Sequence, residues 1–136
     1  MLKFVRVRQY RLAVLICYGL ELYNFVERRP SVILTHPHYV IYEDEKLVGW
    51  VGCTRRGGQV FELRHLTVMP DERGKGIGQK AVEFMLQLLR QHGAVYCYAH
   101  IQRSNVASQE LFIKCGFTLM RDGVVRKYTR SLQEEP

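Results

Sequence analysis

Arg73-Gly74-Lys75-Gly76-Ile77-Gly78 places three glycines at alternate positions between two apolar segments. The first, Phe61 to Met69, reads as a strand, and the second, Ala81 to Arg90, as a helix. Glycine removes the side chain where a ligand must come against the main chain. The first turn of a helix leaves its N–H groups without partners, and the positive end of the helix dipole falls on the same point. The chemistry such a turn can do is to hold an anion, a phosphate above all. Two familiar phosphate loops do not fit. A nucleotide P-loop needs Lys and then Ser or Thr after its last glycine, and here Gln79 follows Gly78. A dinucleotide fingerprint needs G-x-G-x-x-G within parallel βαβ units; the spacing here is G-x-G-x-G and no such units surround it.

Proton transfer is the other chemistry in view. Glu62, His65 and His100 are the candidate bases. In a strand of period two, Val60, Glu62, Arg64, Leu66 and Val68 share one face, which puts Glu62 with Val68 and His65 opposite. Glu62 is the leading candidate, with Arg64 or another basic residue as its expected ion partner.

The elements that must position these groups follow from spacing. Leu2 to Val7 alternates as an edge strand, and Gln9 to Glu27 has helical periodicity with Gly19 as a kink or break. Pro30 and Pro37 bracket an irregular connection. Tyr39–Tyr42 and Leu47–Cys53 are strands, and Gly57-Gly58 turns the chain into a third, Gln59–Met69. A helix over Gly76–Gln91 ends at Gly93, and Ala94–Ile101 is a strand rich in tyrosine and valine. Asn105 caps a short helix that ends before Gly116. Phe117–Met120 and Val124–Arg130 flank the hairpin signal Asp122-Gly123. This order predicts an α/β (α+β) protein with a mixed sheet, not a doubly wound one.

The length of 136 residues suits one domain over positions 1–136, with no linker or repeat. Twenty Lys and Arg against thirteen Asp and Glu give a formal charge of +7, which favours anionic partners. No dense basic run or nucleic-acid motif accompanies that charge, so a nucleic-acid partner is disfavoured. Cys17, Cys53, Cys97 and Cys115 lack metal spacing, so no metal is expected and free thiols in a reducing cytoplasm are. The apolar run Leu12–Leu20 is too short to span a bilayer, and no cleavage site follows it. The polar tail from Ser131 to Pro136 is expected to fray.

Downstream, Asn105, Ser108, Leu111, Phe112, Gly116 and Phe117 form N-x-x-S-x-x-L-F-x-x-x-G-F. With L-T-V-M-P-x-x-R-G-K-G-I-G upstream, the pair closely resembles the GNAT superfamily of acyl-CoA-dependent N-acetyltransferases over about Tyr39 to Thr129. The resemblance implies a mostly antiparallel sheet of six to seven strands flanked by about four helices and splayed between its two central strands. It implies acetyl transfer from acetyl-CoA to a primary amine by direct attack in a ternary complex. The amides of Arg73, Gly74, Lys75, Gly76, Ile77, Gly78 and Gln79 would surround the coenzyme A pyrophosphate. Leu66 and Val68 would lend backbone groups to the pantetheine arm, and an amide near Val68 would stabilise the developing oxyanion. Asn105 would organise the cofactor, and Glu62 would be the base. Lys114 and Arg103 are better read as solvated charges. Phe112 stands where many relatives carry a tyrosine that protonates the departing thiolate. It can pack on the pantetheine but cannot donate a proton, which leaves a non-catalytic acyl-CoA-binding module as the rival reading and a basic nucleic-acid binder behind it. The acceptor, a small-molecule amine or a protein lysine or N-terminus, would sit between the first helix, the Pro30–His38 segment and the last hairpin. The apolar first helix hints at a homodimer.

Overall fold

The computed structural model describes residues 1–133. Its strands are β1 (Leu2–Arg6), β2 (His38–Glu43), β3 (Lys46–Gly57), β4 (Val60–Val68), β5 (Tyr96–Gln102), β6 (Thr118–Arg121) and β7 (Val125–Ser131). Its helices are α1 (Tyr10–Asn24), α2 (Pro30–Thr35), α3 (Ile77–Gln91) and α4 (Val106–Lys114), with a 3-10 turn at Pro70–Glu72. The strands form one sheet in the order β1-β2-β3-β4-β5-β7-β6. Every pairing is antiparallel except β4 with β5.

That exception shapes the molecule. β4 and β5 pair only at Val60–Glu62 against Tyr96–Tyr98. Beyond Glu62, β5 continues along β7 as far as Gln102, while β4 leaves it, so the sheet opens in its middle. β4 also carries an extra residue. Trp50 lies opposite Thr67 and Gly52 opposite Arg64, so two steps on β3 span three on β4. His65 absorbs the excess with φ of 61°, a left-handed conformation rare for a residue with a side chain. The bulge overturns the face expected from simple alternation. Glu62 and Arg64 stay on the α1 side, opposite Thr54 and Gly52, while Leu66 and Val68 pack with the α3 core. Glu62 and Val68 are thus on opposite faces.

Two cores sandwich the sheet. On one side Ala81, Val82, Met85, Leu86 and Leu89 of α3 bury Leu63, Cys97, Ala99 and Ile101 of the central strands. On the other, Ala13, Ile16 and Leu20 of α1 and Ile33 of α2 cover Val40 and Trp50. α1 runs unbroken through Gly19, where a Cβ would run into the Trp50 indole, so this glycine serves close packing and makes no kink. The segment after Pro30 is a helix instead of an irregular connection, with the proline at its start, where its fixed φ suits a helix and its missing N–H costs nothing. At the tail, Ser131 ends β7 and Leu132 is buried, its amide bonded to Val95 O at 3.0 Å, so fraying does not begin at Ser131. Positions 134–136 of the tail lie outside the described residues. Among the described residues no helix is long and apolar enough to cross a membrane.

Candidate active site

Two cavities, of about 530 and 980 Å³, meet where β4 parts from β5, and Tyr23, Asn24, Leu66, Asn105 and Ser108 border both. A hydrogen bond from Thr67 Oγ1 to Asn24 Oδ1 (3.2 Å) ties the end of α1 to β4 at this junction.

The smaller cavity is walled by Val68, by residues Arg73 to Gln79 (Lys75 excepted), and by Leu111 and Lys114 of α4. Gly76 caps α3 with no side-chain hydrogen bond, and the first intrahelical bond comes from the Lys80 amide to Gly76 O (3.1 Å). The amides of Ile77, Gly78 and Gln79 precede that bond, so none has an acceptor within the helix. Gly74 and Gly76 have φ of 81° and 79° with open space where a Cβ would stand, so the left-handed turn, not crowding, demands glycine. Gly78 differs: a Cβ there would come 3.0 Å from Leu111 Cδ2, so this glycine lets α3 approach α4.

Two members of the turn also bond within the chain. The Arg73 amide is turned back toward Pro70 O at 3.5 Å, and its side chain reaches Val68 O through Nε at 3.2 Å. Lys75 Nζ is held by Glu72 Oε1 at 3.1 Å, and Glu72 Oε2 also binds Lys46 Nζ at 2.7 Å. The Lys46 and Lys75 ammonium groups keep this buried carboxyl below its ordinary pKa. Lys75 therefore anchors the turn to the β2–β3 hairpin. On β4, the Met69 amide goes to Val48 O at 2.8 Å. Alternation along an extended chain then points the Val68 amide away from β3, toward the opening.

Glu62 and His100 stand on the wall of the larger cavity, at the point where the two strands separate. Oε1 of Glu62 accepts from Arg56 Nε (2.9 Å) and Nη2 (2.7 Å), and Oε2 faces His100 Nδ1 at 3.2 Å. The ion partner is Arg56, not Arg64, whose Nη1 reaches Thr54 Oγ1 at 3.4 Å instead. Burial, and then the charges of Arg28 and Arg56 against the opposing pull of Glu62, leaves the Arg64 pKa below its ordinary value. A carboxylate only accepts, so His100 carries its proton on Nδ1 and presents Nε2 as a free acceptor. The Glu62 side chain is 10% exposed and that of His100 42%, so the imidazole is the member open to a substrate.

His65 is a different kind of group. His38 Nδ1 lies 2.8 Å from His36 O, which only accepts, so the proton of a neutral His38 sits on Nδ1. His38 Nε2 must then accept from His65 Nδ1, 2.9 Å away, leaving His65 Nε2 unprotonated, buried and unpartnered. The His38 ring lies over Gly52, where a Cβ would collide with it. Burial pushes His38 down to about 4 and His65 to about 3, the latter with help from His38 itself. Nothing in the spacing of the chain singled out His38; the clue available was a glycine at Gly52 inside an otherwise bulky strand.

Asn105 Oδ1 accepts the Ser108 amide at 3.1 Å as the cap of α4, and its side-chain NH2 has no partner among the described residues. Phe112 is 4% exposed and packs edge to face on Phe117, ring centroids 5.0 Å apart, in the α3-side core. Buried Gln109 braces the neighbouring loop. Its Nε2 reaches the carbonyls of Arg103 (2.7 Å), Asn105 (3.2 Å) and Gln102 (3.3 Å). Its Oε1 accepts from Tyr128 (2.9 Å) and Arg126 (2.6 Å).

A sheet opened between β4 and β5, with a glycine turn at the mouth of the opening, is the architecture of an N-acetyltransferase. The chain belongs to the acetyltransferase (GNAT) family, whose model matches residues 7–117. It is 28% identical over 81 residues to streptothricin acetyltransferase of Escherichia coli, covering 60% of this chain and 47% of that protein. It is 34% identical over 102 residues to the probable N-acetyltransferase HLS1 of Arabidopsis thaliana, covering 58% of this chain and 25% of that one. The matches thus span less than half the length of either relative. The fold is similar to that of yncA from Salmonella typhimurium, solved with acetyl-CoA, at a TM-score of 0.80 and 18% identity over 98% of this chain and 95% of that one.

Proposed function

We propose that positions 1–136 form one N-acetyltransferase domain that passes the acetyl group of acetyl-CoA to a primary amine by direct attack. The observation that carries this reading is continuity. The unpaired amides of Ile77–Gln79 and the left-handed Gly74 and Gly76 open onto the gap between β4 and β5, and that gap leads to Glu62 and His100. Several amides converging on one point suit a diphosphate. An unpaired strand edge with the Val68 amide exposed suits an extended, amide-bearing arm. Acetyl-CoA supplies, when bound, an acetyl thioester as the acyl donor.

The residues of the chain then divide the work. Gly74, Gly76, Ile77, Gly78 and Gln79 hold the phosphates through their main chain. Leu66 and Val68 line the arm, and the Val68 amide stands ready for negative charge developing on the acyl oxygen. Asn105 borders both cavities and has a side-chain NH2 to offer the cofactor. An acceptor amine of pKa near 10.4 is neutral in only about one molecule in 2,500 at pH 7, so a proton must be removed. His100 Nε2 takes it, and Glu62 fixes the tautomer and steadies the imidazolium, itself held by Arg56. Glu62 is thus a positioning residue acting through His100. No proton donor stands at Phe112; a thiolate of pKa near 8.5 departs without one, at some cost in rate.

Phe112 also favours the second reading, an acyl-CoA-binding module without turnover. The α1 residues Tyr10, Val14, Tyr18 and Leu22 are exposed, and any pairing of two copies would rest on that stripe. Free thiols at four cysteines suit the cytoplasm.

The test is calorimetry with acetyl-CoA, followed by thiol release with a panel of amines. Glu62→Gln and His100→Asn should each lower kcat at least tenfold and flatten the acidic limb of the pH–rate profile, with acetyl-CoA binding unchanged. Binding without release on any amine would establish the module instead, and absence of binding would end both readings.

A further inference from the structure

The larger cavity has an uneven charge. Arg28, Arg64, Arg121 and Lys127 line it, and among the described residues its one carboxylate is Glu62, already occupied by Arg56 and His100. None of the four cations has a carboxylate of the described residues within ion-pair distance. Arg28 Nη1 meets the Glu27 carbonyl (2.8 Å), Arg64 meets only a hydroxyl, and Lys127 Nζ stands over the Tyr98 ring at 4.4 Å.

Two of the placements are costly in themselves. Arg121 and Lys127 lie directly opposite each other in the β6–β7 hairpin, where like charges repel. Asp122, next in the chain, pairs with Arg126 through Nε at 2.8 Å and relieves neither. Arg64 is half-buried without a counter-ion, beside the neutral pair of buried His38 and half-buried His65. Charges kept apart from counter-ions at the rim of one concave site mark an anion's place.

The cations also surround the end of β4 and β5 where His100 stands: Lys127 is opposite His100 in register, and Arg64 is two residues from Glu62 on the same face. A bare ammonium or polycation entering this cleft meets repulsion on both sides. An amine that brings its own negative charge is drawn in, and its nitrogen then lies among positive charges that favour the neutral, attacking form.

We propose that the acceptor is a small amine carrying an anionic group, carboxylate or phosphate, within a few bonds of the nitrogen. Arg64 and Arg28 on one wall and Arg121 and Lys127 on the other receive the anion. This inference rests on the acetyltransferase reading and narrows it to a substrate class that excludes polyamines.

Matched pairs test it. α-Amino acids are compared with their carboxamides, and O-phosphoethanolamine with ethanolamine, with spermidine as a polycation. Thiol release from acetyl-CoA gives kcat/KM, and calorimetry on protein saturated with desulfo-CoA gives binding independently of turnover. The anionic member of at least one pair should win by tenfold or more and lose that advantage as salt rises; which pair responds separates carboxylate from phosphate. Arg64→Gln should raise the acceptor KM at least tenfold and leave the acetyl-CoA KM within twofold. The double variant Arg121→Gln/Lys127→Gln, which removes a repulsive pair and so spares the fold, should narrow the discrimination likewise. Equal or better use of ethanolamine, carboxamides or spermidine would overturn the proposal while leaving the acetyltransferase intact. So would calorimetric silence from every anionic amine on protein that binds desulfo-CoA. Failure to bind acetyl-CoA at all would remove the reading beneath it.

Discussion

Acidification to pH 5 should take a large share of this protein's stability before most of its carboxylates are protonated. In the folded chain His38 and His65 share one hydrogen bond and are both neutral, with pKa values pushed down to about 4 and about 3. In the unfolded chain each returns to about 6.5. Between those values the unfolded state binds protons that the folded state refuses, so stability is fully present above pH 6.5 and falls as the pH drops. At pH 5 each histidine has lost about 1.5 units at about 1.36 kcal/mol per unit, or about 2 kcal/mol, and the pair about 4 kcal/mol. That is a large share of the roughly 5–15 kcal/mol typical of a domain. The physical cause is local: a proton on His38 Nε2, which is buried, would face the Nδ1–H of His65, donor against donor. Glu72, whose pKa is lowered by Lys46 and Lys75, loses its contribution only below the ordinary carboxylate range, so pH 5 isolates the histidines. Urea unfolding at pH 7.5, 6.5, 5.5 and 5.0 measures the slope, and His65→Leu should halve it whatever it does to absolute stability. A change below about 1 kcal/mol between pH 7.5 and 5, or ring protons of both residues titrating above pH 6, would refute the reasoning.

Gly76→Ala meets no neighbour but must hold φ of 79°, so it should cost about 1 kcal/mol in thermal or urea unfolding and weaken acetyl-CoA binding far more than Lys75→Ala, whose ammonium serves Glu72. Gln109→Ala leaves the buried Tyr128 hydroxyl and three loop carbonyls without the side chain they now pair with, and should destabilise by about 1–3 kcal/mol in urea unfolding.

Most elements were legible because period and punctuation agree in them. Asp122-Gly123 turned the last hairpin, Gly93 closed α3 and Asn105 capped α4, each a local effect with a local residue to announce it. The glycine turn was legible for the same reason, since left-handed φ at Gly74 and Gly76 is a property of the main chain. α2 was missed because Pro30 reads as a breaker when its helix is only six residues long. The bulge in β4 was missed because the residue in left-handed conformation is a histidine, not a glycine, and one extra residue inverts every later side chain. The histidine pair, the Arg56 clamp and the four cations of the larger cavity come from β2, β3, β4, β6, β7 and a loop. Only the register of the assembled sheet brings them together.

The irregularity at His65 lets one short ribbon of chain serve two chambers. Ahead of it, the strand offers acid and guanidinium to whatever enters from the α1 side. Beyond it, the same strand turns its aliphatic residues toward α3 and its amide toward the gap. Pairing the same residues regularly, without the bulge, would keep a sheet and a core in outline, yet it would turn Leu66 and Val68 to the face that holds Glu62 and Arg64.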